Sequence, residues 1–203
     1  MLAFDAATDV ATVALARLDD RAVLGEGEAR PIALLEQVDR LLAAAGAAPG
    51  DLAALALGVG PGRYTSIRLA LATGRALALA LDLPVAAVST LDVLAAGAPG
   101  AVPVIDARRG ELFAPGPGGP VCMPAAGLPV EPGVLLVGDG ALRYRAELEA
   151  RGATIPSDDD PRHRPRAALL AGLADGFGPA EAAEPLYLRA PDAERTRKAF
   201  PRA

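Results

Sequence analysis

The sequence holds one cysteine, Cys122, one histidine, His163, and no tryptophan, and aromatic residues make up only 3% of it. A single thiol excludes an internal disulfide and a cysteine-rich zinc site, and gives no reason to invoke an oxidising compartment; the chain reads as cytoplasmic. One histidine and one cysteine leave nothing to spare for a Ser-His-Asp or Cys-His site and cannot form a His-x-x-x-His one. That argues against zinc chemistry more than against all metals, since aspartates alone can hold magnesium. Long apolar runs are missing too. The most hydrophobic stretch, 69–81, is interrupted by Arg75 and falls short of the roughly 20 residues a bilayer span needs. The chain reaches Asp5 without the basic and apolar regions of a secretory signal. Nor is there an excess of positive charge: 20 basic residues against 25 acidic ones give a net of -5. Unaided binding to a phosphate backbone is therefore disfavoured, and a nucleic-acid role needs a local basic patch or a partner.

What is present is material for a core, 52% hydrophobic residues in a chain of 203. Apolar runs at 2–5, 10–17 and 22–28, separated by the polar turns Thr8-Asp9 and Asp19-Asp20, predict an antiparallel three-strand meander. After Pro31 the period becomes helical: Leu34, Leu35, Val38, Leu41, Leu42 and Ala45 share one arc, and Gly46 ends it. A buried strand at 51–58, a Gly-rich turn at 58–62, a helix at 66–82 stopped by Pro84 and a strand at 85–88 follow. The order β-β-β-α-β-α-β describes an α/β lobe, 1–98, with a mixed sheet flanked by helices, and a short helix at 90–96 leads out of it. A smaller second lobe, 99–190, is expected to hold strands at 102–105, 111–114 and 135–137 and helices at 141–151 and 166–174. Between them, 115–133 carries six prolines and five glycines, which predicts an irregular connection. Residues 191–203 form a basic tail expected to be flexible.

Three places could carry chemistry. The turn containing Gly60 and Gly62 joins a strand to a helix, where backbone N–H groups and the helix dipole can hold an anion; it also reads as a tight turn with Thr65 or Ser66 as N-cap. It is not a Walker loop, because no Lys-Ser/Thr pair follows the glycines. Asp5 and Thr8 close the first strand, and Asp106 closes the first strand of the second half. His163 sits among aspartates and arginines and reads as a solvated loop histidine. The helix at 66–82 is apolar over most of its circumference, leaving Arg68, Arg75 and Asp82 as a narrow polar stripe. On it Ala70, Gly74 and Ala78 make a small-residue row that another helix could approach closely, in a partner or within the chain.

Phe4-Asp5-Ala6-Ala7-Thr8, the stretch Gly-Val-Gly-Pro-Gly-Arg-Tyr-Thr-Ser-Ile-Arg at 58–68, Val88-Ser89-Thr90-Leu91, Ile105-Asp106-Ala107-Arg108 and Pro185-Leu186-Tyr187-Leu188-Arg189 resemble the TsaB family, also called YeaZ, in order and spacing. The resemblance implies an actin-like, ribonuclease-H-like fold in two lobes. It implies a non-catalytic subunit of the bacterial complex that installs threonylcarbamoyl on N6 of the adenosine 3′ to the anticodon of tRNA. The implied partners are a catalytic TsaD-like paralogue, a TsaE-like ATPase, tRNA through the complex, and a second copy of the chain when the paralogue is absent.

On this reading Leu34, Leu41, Ala70, Leu71, Gly74 and Ala78, on the helices at about 32–46 and 66–82, face the paralogue. Asp5, Thr8, Gly60, Gly62 and Asp106 mark positions where a nucleotide would bind weakly. Ala6 and Ala7 stand where a glycine is expected, and Arg108 and Arg109 replace small residues of the second phosphate loop. TsaD holds its metal through two histidines where this chain has Thr90 and Leu94, so no metal and no cofactor is expected here, ATP being used by the complex. The rival expectation is an autonomous actin-like ATPase or small-metabolite kinase.

Overall fold

The computed structural model describes residues 1–189, so the basic tail at 191–203 lies outside the described residues. Its first lobe is built on a five-stranded sheet of β1 (Leu2–Asp5), β2 (Ala11–Ala16), β3 (Val23–Ala29), β4 (Leu55–Gly58) and β5 (Val85–Val88), in the order β3-β2-β1-β4-β5. The β1–β2–β3 meander is antiparallel, while β4 pairs parallel with both β1 and β5. Strands β1 and β4 are buried at every position because both faces of the sheet are covered.

Alternation along β1 assigns the two faces. Leu2 and Phe4 point to one side, where α1 (Leu34–Ala44) and α2 (Tyr64–Leu81) bring Leu34, Val38, Leu42, Ile67 and Leu71 into the same core. Ala3 points to the other and joins a smaller layer with Ala16, Ala54, Ala56 and Ala86. Helix α6 (Ala167–Leu173) closes that layer through Leu170 and Ala171, so it belongs to the first lobe's sheet although its place in the chain put it in the second. The following segment also returns to the first lobe. Gly178 bridges Val85, Arg75 binds the carbonyls of Glu181 and Ala183, and the Leu186 N–H donates to the Val59 carbonyl at 2.8 Å.

Helix α3 (Thr90–Gly97) leads to the second lobe. The strand expected at 102–105 is divided. β6 (Val102–Pro103) pairs parallel with β10 (Leu136–Val137), and β7 (Ile105–Arg108) opens an antiparallel sheet with β8 (Glu111–Gly116) and β9 (Gly119–Pro124). Strand β9 lies within the stretch read as irregular. It tolerates Pro120 and Pro124 because it is the edge strand of its sheet, where missing N–H donors leave no partner unpaired. The single helix expected at 141–151 is α4 (Asp139–Arg143) and α5 (Arg145–Ala150), broken at Tyr144 where φ is -110°. The segment 161–168 is tied to β3 by ion pairs from Arg164 to Glu28 and from Arg166 to Glu26.

Candidate functional site

The turns after β1 and β4 meet, and they close on each other. Asp5 is fully buried: its Oδ1 accepts the Ala7 N–H at 2.7 Å and its Oδ2 accepts the Thr90 hydroxyl at 2.6 Å. Burial pushes the carboxyl above the usual range, against the opposing pull of those two hydrogen bonds. Gly58 makes room for it, since a Cβ there would stand 2.0 Å from Asp5 Oδ2. Thr8, 5% exposed, donates its hydroxyl to the Val10 carbonyl at 3.0 Å. The Ala7 carbonyl accepts the Arg63 N–H at 2.8 Å, and a Cβ on Gly62 would lie 2.2 Å from it. The Gly60 carbonyl takes the Thr90 N–H at 2.8 Å. Asp5, Thr8, Gly60 and Gly62 are thus gathered, with the Asp5 carboxylate, the Thr8 hydroxyl and the Gly60 carbonyl each hydrogen-bonded within the chain. Thr90 and Leu94 are core residues, 0% and 1% exposed. Among the described residues no three histidine, cysteine or carboxylate side chains converge as metal ligands.

In the second lobe Asp106 is a structural acceptor. Its Oδ1 takes the Arg108 N–H at 2.8 Å, and its own N–H donates to Asp139 Oδ1 at 2.9 Å. Burial pushes Asp139 up to about 6, with the nearby Asp106 carboxylate adding to the rise. Asp139 escaped the sequence reading. The signal was Gly138-Asp139-Gly140 directly after a strand, with both glycines packed against the Val104 backbone. Between Asp106 and Arg108 the β7–β8 register slips by a bulge, and Arg108 takes a left-handed φ of 64°.

A cleft of about 910 Å³ separates the lobes, with Gly62, Tyr64 and Leu69 on one wall, Asp106 and Phe113 on the other, and Tyr187 from the returning segment. Asp9 bridges it, ion-paired to Arg63 of the first lobe and to Arg108 of the second. The ring of Tyr187 lies 4.8 Å from that of Tyr64, and the Arg68 guanidinium is 5.3 Å from the Tyr64 ring. Helix α2 begins at Tyr64 with Arg63 as its N-cap residue, earlier than the Thr65 or Ser66 cap expected, and no side chain caps it.

His163 is a correction. The charged loop around it suggested a solvated ring, but it is 3% exposed and fills a gap between the lobe's segments. The Gly138 N–H donates to Nδ1 at 3.1 Å, and Nε2 lies 3.3 Å from the Pro156 carbonyl. Both nitrogens serve the backbone, so the ring is not placed to act as a base.

The six residues expected to face a partner lie instead in the chain's own core. Leu34, Leu41, Ala70, Leu71 and Ala78 are at most 9% exposed, and a Cβ on Gly74 would be 2.5 Å from Leu57 Cδ1. The small-residue row lets α2 approach its own sheet. The opposite side of α2 is the unusual one: Ala72, Ala76, Leu79 and Ala80 face solvent, and Arg75 is folded back onto the Ala183 carbonyl. Leu79 is 83% exposed, and Ile32 just before α1 and Leu35 in its first turn are 80% and 52% exposed.

Residues 32–116 match the family described as TsaD: tRNA N6-adenosine threonylcarbamoyltransferase. Among solved structures, YeaZ from Pseudomonas aeruginosa is 30% identical with a TM-score of 0.74, over 92% of this chain and 98% of that one. A second, an uncharacterized protein with similarity to the peptidase YeaZ from Pseudomonas aeruginosa, is 28% identical at the same TM-score, over 93% of this chain and 98% of that one. No curated protein sequence matches significantly. The β3-β2-β1-β4-β5 sheet with helices on both faces is that of the actin-like, ribonuclease-H-like fold.

Proposed function

Because the chain belongs to the YeaZ (TsaB) family, we propose that it is a non-catalytic subunit of the tRNA threonylcarbamoyladenosine machinery, docking a TsaD-like catalytic paralogue through the solvent side of α2 and the adjoining start of α1. The observation that carries this is the exposed face of α2. A helix with one side in its own core and the other in water is normally charged on the wet side. Here the wet side from residue 69 to 81 offers alanines, leucines and Thr73, with its one charge, Arg75, drawn toward the returning segment. A surface of that composition fits burial against another protein. A paralogue with the same fold carries an equivalent helix pair, and a second copy of the chain can cover the face when the paralogue is absent.

The closed loops support a supporting rather than a catalytic role. The Asp5 carboxylate, the Thr8 hydroxyl and the Gly60 carbonyl are hydrogen-bonded within the chain, which supports this reading over an autonomous ATPase or kinase. The peptidase label on one relative gains nothing from this chain, whose single histidine has both ring nitrogens on backbone groups. In the complex, ATP and the TsaE-like ATPase act with the paralogue, and tRNA is met through the assembly. The test is a modification assay with purified components. Threonylcarbamoyladenosine should form only when the TsaD-like paralogue is added; product made by this chain without it overturns the proposal.

A further inference from the structure

We propose that the groove between α3 and the tip of the β8–β9 hairpin binds the chain's own segment 195–203, with Phe200 seated among the groove's prolines and the cations beside it near Asp92. The inference does not depend on the scaffold role. The groove holds about 640 Å³. Its lining includes Leu91, Asp92 and Ala95 from α3 and Pro103, Pro115 and Pro120 from β6, β8 and β9. Among the described residues that line it, Asp92 is the one with a charge. Proline rings offer flat apolar surface with no donor of their own, which suits an aromatic ring. Grooves that recognise proline-rich segments use the same pairing with the roles exchanged.

The last described residues already lie on this surface. Phe113 pairs with Cys122 and Pro115 with Pro120, so alternation along the strands puts both pairs on one face of the hairpin. Leu188 and Cys122 pack against the cluster that holds Leu91 and Phe113, and the Arg189 guanidinium is ion-paired to Glu111 of β8 at 2.5 Å. Side chains two apart on a strand are separated by roughly 7 Å, so the Phe113–Cys122 pair adjoins the groove. Residues 190–203 follow from that point. The chain from Leu188 to Phe200 can span up to roughly 40 Å, at about 3.3 Å per residue, which is ample to reach it. Composition selects the part that fits. Phe200 is the one large apolar side chain in 190–203, with Lys198 before it and Arg202 after it, opposite in sign to Asp92. A tethered segment is present at its site at an effective concentration on the order of millimolar, so a contact of modest affinity fills the groove.

The test is the fluorescence anisotropy of a dye-labelled synthetic peptide of residues 190–203, titrated with the full chain and its variants. Phe200→Ala vacates the groove and should take up the peptide. The parent, whose own segment competes, should bind it roughly tenfold more weakly, the factor by which a millimolar competitor in the same chain raises a Kd of about 0.1 mM. Ala95→Tyr fills the groove and Asp92→Lys reverses its charge. Each, added to Phe200→Ala, should weaken uptake of the peptide by roughly fivefold. Asp92 is exposed, so Asp92→Lys should barely move the melting temperature, which separates loss of binding from loss of fold. The parent's resistance should hold from the lowest chain concentration upward. Resistance that sets in only as the chain is concentrated would put a second copy's segment in the groove and overturn the inference. So would a peptide that binds the parent and Phe200→Ala alike, one that binds neither, or one whose uptake neither groove substitution weakens.

Discussion

Asp139 is a carboxyl whose proton the fold holds more tightly than usual, with a pKa of about 6 against an ordinary 3.8. Its proton is bound more tightly folded than unfolded, so the stability it contributes is complete below about pH 4 and is lost as pH rises through about 6. Asp139→Asn keeps an oxygen for the Asp106 N–H but removes the titration. It should melt higher than the parent at pH 7, by on the order of 2 kcal/mol, and match it near pH 4. Melting curves at the two pH values check this, and an equal difference at both contradicts it. Thr90→Val removes the hydroxyl that satisfies buried Asp5 Oδ2 and should cost about 1–3 kcal/mol, measured by denaturant unfolding. Asp5 and Thr8 were legible in the sequence as residues of one turn. Their internal use was not, because it depends on distant Gly58 leaving space for the carboxylate and on Thr90, the first residue of α3. His163 misled for the same reason. Neighbouring charges describe the loop, while its burial is set by Gly138 and Pro156.

Helix α2 was legible in extent and in its lack of an ordinary polar side, and the order of elements along the first lobe followed from period and turn residues. Which face of α2 turned inward was not, because an all-round apolar helix offers no contrast to orient it. Gly74 decides the matter through its contact with Leu57. Alanine gains about 1 kcal/mol of helix propensity but loses about 1–3 kcal/mol to overpacking against a leucine that is itself fully buried. Gly74→Ala should therefore lower stability slightly, and Gly74→Arg should unfold the first lobe instead of probing a partner. A Gly74→Ala variant more stable than the parent in urea would contradict this packing. In the second lobe, the proline-rich stretch hid β9 because composition signals breakage, whereas an edge strand can do without those donors.

At the scale of the whole chain, two lobes are joined by a segment that leaves the first, builds the second and comes back as α6 and the strap 178–189 to complete the first lobe's two faces. Sequence position could not show that return, since contacts between residues 150 apart carry no local pattern. The consequence is a body with its core filled, the turns after β1 and β4 hydrogen-bonded to each other and one apolar helix face left to solvent. The measurement that tests this most directly is a calorimetric titration of the TsaD-like paralogue with the parent chain and with Leu79→Arg. Leu79 is 83% exposed, so the substitution leaves folding and melting temperature unchanged. An unpaired charge buried in a standard interface of about 800 Å² per partner costs several kcal/mol, and the account predicts that the variant binds at least a hundredfold more weakly. A variant that folds as the parent does and binds the paralogue with undiminished affinity would contradict it.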